Sequence, residues 1–254
     1  VTTTVPWNTS GNASLGFNNL NNTVMNKTIA ALSAGALCLC SIAVSCNKTA
    51  ENESKGEGVS QNLPVYNIKQ SSTSTIDKAE KNVLVISASP RRGGNTDLLC
   101  DEFVRGAQEA GGTVEKIFLD DYKIDFFHEQ HELSADSIAE SDQAPEIIDK
   151  MVKADIIVLS SPVYYMNIDG QLKTLMDRCY RHEGLNGKEF YYITACADAE
   201  DSTAETAIFA FRGFVVCLPD PVERGMVKAT GMGRKAAVKQ SQYMQEAYNL
   251  GKTI

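Results

Sequence analysis

Apolar periodicity begins abruptly at Val83 and then alternates between short runs and longer spaced stretches. Asn82-Val-Leu-Val-Ile-Ser87 and Asp155-Ile-Ile-Val-Leu-Ser160 are unbroken apolar runs, the pattern of strands buried on both faces; Val114–Leu119 and Phe190–Thr194 read as two more strands. Between them, apolar residues recur every three or four positions. In Thr96–Ala110 these are Leu99, Phe103, Ala107 and Ala110, and Gly111-Gly112 ends that helix. Further helices are predicted from about Pro145 to Lys153, Asp169 to Cys179 and Ser202 to Arg212. A fifth strand is expected near Phe214–Leu218, and Arg234–Leu250 reads as a closing helix. Strands alternating with helices imply a parallel sheet covered on both faces, with ligands at the carboxyl ends of the strands where strand order reverses. The stretch Asp120–Gln143 is irregular and acidic.

Upstream the pattern differs. Residues 1–24 are rich in Asn, Thr and Ser and lack Lys and Arg, the composition of a disordered tail or of sequence preceding a start at Met25. Residues 25–46 have the order of an export signal: Lys27, an uncharged run from Ile29 to Val44, then small residues. That run of about 16 residues is short for a membrane span of roughly 20. Ala43-Val44-Ser45-Cys46 resembles a bacterial lipobox, in which a cysteine is lipidated and becomes the mature N-terminus, although Leu is commoner where Ala43 stands. The expectation is a chain exported and lipid-anchored at Cys46 to a bacterial membrane; a retained anchor or a cleaved signal are the alternatives, and without such a signal the protein would be cytoplasmic. Residues 47–80, rich in Ser, Thr, Lys, Glu and Asn, read as a flexible tether to a domain spanning 81–254.

The net charge of −8 provides no footprint for nucleic acid, whose phosphates require clustered Lys and Arg. Cys100, Cys179, Cys196 and Cys217 show no C-x-x-C spacing, so they indicate no metal site. His128 and His131 with Glu129 and Glu132 are ligand types at uninformative spacing, and read as a polar lid or an oligomer contact.

Chemistry concentrates in the loop after the first strand, Ser89-Pro-Arg-Arg-Gly-Gly-Asn-Thr96. It leaves a predicted strand and enters a predicted helix, the setting of an anion site. Gly93 and Gly94 let backbone N–H groups turn inward. Ser89, Thr96, the Asn95 amide and the helix N-terminus supply donors, and Arg91 or Arg92 adds charge. The loop ends in neither Gly-Lys-Ser/Thr nor G-x-G-x-x-G, which disfavours ATP and a Rossmann dinucleotide. Alone, the same loop is also compatible with a capped turn that binds nothing.

Ser89-Pro-Arg with Gly94-Asn-Thr96 resembles the loop of the NAD(P)H-dependent flavin reductase and quinone reductase branch of the flavodoxin-like superfamily. A second match is Ser161-Pro-Val-Tyr-Tyr-Met-Asn-Ile-Asp-Gly-Gln-Leu-Lys173, continuing to Asp177-Arg178. The resemblance covers roughly Asn82 to Lys252. It implies a three-layer α/β sandwich with a five-stranded parallel sheet in the order 2-1-3-4-5. It also implies bound FMN, with Ser89, Arg91, Asn95 and Thr96 at its phosphate and Pro162, Val163, Tyr164, Tyr165 and Asn167 along the isoalloxazine. Ala195 and Cys196 would stand at the third loop, where relatives often have glycines. No cysteine lies between Asp120 and Gln143, where iron-sulfur members of the family carry their cluster ligands.

The resemblance further implies an oxidoreductase passing electrons from NAD(P)H through FMN to a quinone, flavin or other small acceptor, with a homodimer expected. No catalytic acid, base or nucleophile is required, because the flavin performs the electron chemistry. An anchored electron-transfer flavoprotein without direct nicotinamide use, and a flavin-free interaction module, are the competing readings.

Overall fold

In the computed structural model, which describes residues 64–71, 80–128 and 141–254, one parallel sheet is built from six strands. In chain order the elements are β1 (Lys69–Gln70), β2 (Asn82–Ser87), α1 (Asn95–Glu109), β3 (Thr113–Phe118), α2 (Ala144–Lys153), β4 (Ile156–Pro162) and α3 (Gly170–Arg178). They continue with β5 (Glu189–Ala195), α4 (Asp201–Val215), β6 (Val222–Ala229) and α5 (Tyr243–Gly251). The sheet order is β1-β6-β5-β4-β2-β3. Without the edge strand β1 this is the flavodoxin-like 2-1-3-4-5 arrangement, so the expected class holds with six strands rather than five. Cys46, the apolar run before it, Glu129, His131 and Glu132 lie outside the described residues. Among the described residues, no helix is long and apolar enough to cross a membrane.

The unbroken runs follow from burial on both sides. Leu84 and Ile86 face one layer with Ile157, Leu159, Phe190 and Tyr192, under α2, α3 and α4. Val83 and Val85 face the other with Ile156, Val158, Tyr191 and Ile193, under α1 and α5. Successive side chains alternate between two apolar layers, so no polar face exists to mark the period. Helices α1 and α5 pack through glycines: a Cβ on Gly106 would stand 2.1 Å from the Tyr248 carbonyl oxygen, and one on Gly251 would stand 2.2 Å from that of Phe103.

Three expectations are corrected. Phe214–Leu218 is not a strand, because α4 continues to Val215, with Ala204, Ala207, Ile208, Phe211 and Val215 all buried at helical spacing. The fifth strand of the flavodoxin-like order is instead β6, Val-Glu-Arg-Gly-Met-Val-Lys-Ala. Its charges are paired: Glu223 with Arg212 at 2.7 Å, Arg224 with Glu189 at 2.9 Å, and Lys228 with Asp201 at 2.6 Å. The closing helix is broken, with a 3-10 turn at Ala237–Gln240 before α5. Finally, part of the stretch read as tether joins the domain, since Lys69 pairs with Val222 and Tyr66 stacks on Phe209 with ring centroids 5.1 Å apart.

Candidate functional site

Strand β2 lies between β3 and β4, so chain order reverses beside it and the loops after β2, β4 and β5 leave the same end of the sheet. Their roots are cross-linked. The Ala88 N–H donates to Ser160 O at 3.3 Å, Val163 N–H to Ala195 O at 3.0 Å, and the Thr194 hydroxyl to Ser161 O at 2.9 Å.

The first loop is shaped by Asp97, in the first turn of α1. Its carboxylate accepts the Ser87 hydroxyl at 2.8 Å, the Gly93 N–H at 2.8 Å and the Lys116 ammonium at 2.6 Å. Burial alone would raise its pKa, but these three donors hold Asp97 below the usual carboxylate range. The carboxylate thereby fixes the loop backbone while Lys116 neutralises it. Gly93 sits at φ +65°, and a Cβ on Gly94 would meet the Arg91 carbonyl oxygen at 2.7 Å, so both positions require glycine. The N-terminus of α1 has no side-chain cap. Thr96 is 2% exposed, yet its hydroxyl makes no hydrogen bond among the described residues.

Of the residues expected at a phosphate, Ser89 is buried beside the loop backbone, where its hydroxyl accepts the Arg91 N–H at 3.3 Å. Arg91 is exposed. Arg92 turns aside, pairing with Asp121 and lying over the Phe118 ring at 4.0 Å. The Asn95 amide is committed elsewhere: it donates to the carbonyls of Met232 and Arg234, both at 2.8 Å, while its oxygen accepts the Val238 N–H at 3.1 Å. As placed, it organises the site rather than donating to a ligand.

In the second loop, Tyr164 and Asn167 exchange backbone hydrogen bonds of 2.8 and 3.1 Å around a two-residue turn. Tyr165 at φ 50° and Met166 at φ 60° both adopt the left-handed conformation that such turns require and side chains disfavour. Tyr165 consequently projects fully into solvent at the tip, Tyr164 is partly exposed, and Val163 packs back against the core. Ser161 closes the loop's neck by accepting the Asp169 N–H at 2.8 Å.

Asp169 caps α3 by accepting the Leu172 N–H at 3.0 Å, but its other carboxyl oxygen is buried without a partner among the described residues. Burial pushes its pKa up to about 7, against the Leu172 bond and with added repulsion from Asp120.

The third loop is compact. Ala195 and Cys196 are buried; the Cys196 N–H reaches Ala229 O at 2.9 Å and its carbonyl accepts the Met232 N–H at 2.7 Å. Burial, and then Asp198, raise the Cys196 pKa, which keeps it a thiol that donates to Asp198 O at 3.3 Å. Sequence reasoning did not single out Asp97 and Lys116. An acidic residue directly after the Gly-Gly-Asn-Thr turn was a usable signal for the first, whereas Lys116 becomes meaningful only through the β2–β3 pairing.

These features fit a nucleotide phosphate. Two glycines leave a cradle that a Cβ would fill or strain, and the helix end above it has no side-chain cap. Fold and loops together define a flavodoxin-like α/β protein whose loops after β2, β4 and β5 leave the sheet beside its topological switch point. The chain belongs to the NADPH-dependent FMN reductase family, whose sequence pattern matches residues 81–219.

Relatives include an iron-sulfur flavoprotein of Methanocaldococcus jannaschii, 38% identical over 102 residues that make up 38% of this chain and 50% of that protein. An FMN-dependent NADH:quinone oxidoreductase of Pseudoalteromonas atlantica is 28% identical over 144 residues, 52% of this chain and 69% of that one. The chain spans about half the length of the first of these relatives. Among solved structures, the azoreductase AzrA superposes with a TM-score of 0.56 at 17% identity, covering 68% of this chain and all of that one. The NAD(P)H:quinone oxidoreductase from Methanothermobacter marburgensis superposes with a TM-score of 0.53 at 19% identity, covering 68% and 96%.

Proposed function

We propose that this protein is an FMN-dependent oxidoreductase that takes electrons from NAD(P)H and delivers them to a small acceptor such as a quinone or a flavin. The observation that carries this reading is the pairing of a glycine-built phosphate loop after β2 with the Pro162–Asn167 loop after β4, on either side of the switch point, in a chain of the FMN reductase family.

Bound FMN supplies the hydride and electron transfer chemistry, so the protein's share is binding, orientation and exclusion of water. Phosphate binding falls to the α1 N-terminus, the Ser89 and Thr96 hydroxyls and the Arg91 charge. The ring is assigned to Pro162, Val163, Tyr164, Tyr165 and Asn167, with Ala195 and Cys196 closing the far side. Tyr164 and Asn167 use their own N–H groups within the turn, which leaves those of Tyr165 and Met166 to meet the polar edge of the ring.

The test is anaerobic addition of NADPH or NADH to the purified yellow protein. Bleaching of the flavin band supports the reductase; an FMN-loaded protein that neither nucleotide bleaches overturns it. That second outcome would favour an anchored electron carrier, the reading to which the Met25–Cys46 segment gives weight, since reduced nicotinamide is not expected outside the cytoplasm.

Attachment to a membrane through a lipid on Cys46 and assembly as a homodimer complete the proposal. Metabolic labelling with a radioactive fatty acid that persists in Cys46→Ala would refute the anchor. Sedimentation as a monomer would refute the dimer.

A further inference from the structure

The phosphate loop is covered in part by sequence from the far end of the chain. After β6, the segment from Gly231 to Ala236 crosses from the third loop to the first. At one end Gly231 N–H donates to Asp198 O at 2.6 Å and Met232 N–H to Cys196 O at 2.7 Å. At the other, the Asn95 side chain holds the Met232 and Arg234 carbonyls and the Val238 N–H. Ala236, at φ 59°, then turns the chain into the 3-10 turn. This path brings Lys235 to Gly93: its Cε lies 3.9 Å from where a Cβ on Gly93 would stand.

Three further observations bear on what that lysine does. Arg92 is committed to Asp121 and the Phe118 ring, so it is not the cation of this loop. Lys235 is exposed and has no salt-bridge partner among the described residues, unlike Lys116, which the neighbouring Asp97 and Asp101 hold. Independently, Thr96 in the first turn of α1 is 2% exposed, and its hydroxyl makes no hydrogen bond among the described residues.

An uncapped helix end, a hydroxyl free of hydrogen bonds and an ammonium without an ion-pair partner among the described residues border the same glycine loop, a donor set suited to a phosphate monoester. Lys235 also lies beyond residues 81–219, so the family match does not assign it.

We propose that Lys235 is a binding residue for the terminal phosphate of the flavin nucleotide, delivered to the loop by the segment that Asn95 holds. The inference rests on the FMN reading above. It adds that the C-terminal segment, and not the loop alone, sets the preference for a phosphorylated flavin. A flexible lysine acts as a point charge on the phosphate, so its contribution is screened by salt and retained in part by arginine.

The test is titration of the full-length apoprotein with FMN and with riboflavin, followed by quenching of flavin fluorescence, for wild type, Lys235→Ala and Lys235→Arg. The expected result is about a tenfold loss of FMN affinity in Lys235→Ala. Riboflavin affinity should be unchanged, Lys235→Arg should keep most of the FMN affinity, and the difference between wild type and Lys235→Ala should shrink as salt rises. Unchanged thermal melting of the three apoproteins verifies that the exposed substitution leaves the fold intact. Wild type that prefers FMN over riboflavin, joined with a Lys235→Ala variant of identical preference, overturns the role of Lys235 alone. Wild type that binds neither flavin, or both equally, overturns the FMN reading and the inference with it.

Discussion

Asn95 donates an amide proton to the Met232 carbonyl at 2.8 Å, joining the first residue of α1 to a segment 137 positions later in the chain. Its other proton goes to Arg234 and its oxygen accepts from Val238, so one side chain holds three backbone groups of the C-terminal segment. Asn95→Ala is expected to destabilise the protein by about 1–3 kcal/mol and to raise amide exchange across residues 231–238. Asn95→Asp should do no better, although it keeps the Val238 bond, because a carboxylate then faces two carbonyl oxygens. Denaturant midpoints and exchange rates check both; an Asn95→Asp variant as stable as wild type would contradict the assigned contacts.

Asp169 provides a pH signature. Its folded pKa of about 7 stands above its ordinary value of 3.8, so the folded state binds the extra proton between those limits. The contribution to stability is therefore fully present below about pH 4 and is lost as pH rises through 7. Asn keeps the cap on Leu172 without a charge to bury. Asp169→Asn is expected to match wild type at pH 5 and to exceed it at pH 8 by roughly 2 kcal/mol, read from melting curves at the two pH values. Parallel curves for the two proteins across that range would refute the buried carboxyl.

A second carboxyl titrates in the opposite sense. Asp142 is fully buried and paired with the equally buried Arg178, which also donates to Asp125 O at 3.1 Å; these bonds anchor the end of the irregular stretch after β3 to α3. Burial works against the charge, but Arg178 and the N–H groups of Ala144 and Asp125 hold Asp142 below the usual carboxylate range. That stability is present above its unfolded pKa and is lost as pH falls through the folded one. Arg178→Met leaves the carboxylate buried alone and should cost about 3–5 kcal/mol in chemical denaturation, whereas adding Asp142→Leu should recover much of the loss. A double variant less stable than Arg178→Met would show that the pair is not the dominant interaction there.

The α1–α5 contact depends on the absence of two side chains. Gly106→Ala places a methyl group 2.1 Å from the Tyr248 carbonyl oxygen, a backbone atom that cannot rotate away. The helices must separate, at an expected cost of at least about 2 kcal/mol in denaturant titration. Gly111→Ala, with open space around its Cβ but φ +97°, tests backbone strain instead and should cost less, near 1 kcal/mol. Equal losses would mean that helix contact is not what Gly106 provides.

The strands β2, β4 and β5 and the helices α1 and α3 were legible because their apolar residues follow a local period that burial imposes wherever the chain lies. The two loops were legible for a similar reason: Gly93 and Gly94 mark a backbone that side chains would block, and the Pro162–Asn167 stretch sits directly after a buried strand. Strand β6 was not legible. Glu223, Arg224 and Lys228 are tolerated there because Arg212, Glu189 and Asp201 meet them from other elements of the fold, Glu189 and Asp201 from 35 and 27 positions away.

Read alone, the residues specified an α/β domain, its parallel sheet, and two loops at one end of it, since periodicity, glycine placement and strand-to-helix succession are local properties. Tertiary structure decided which donors those loops retain. It turned Asn95 toward Met232, drew Arg92 to Asp121, neutralised Asp97 with Lys116 and brought Lys235 to Gly93. Each of these is a meeting of groups distant in sequence, and a polar side chain's role depends on the partners that the fold leaves within hydrogen-bond reach.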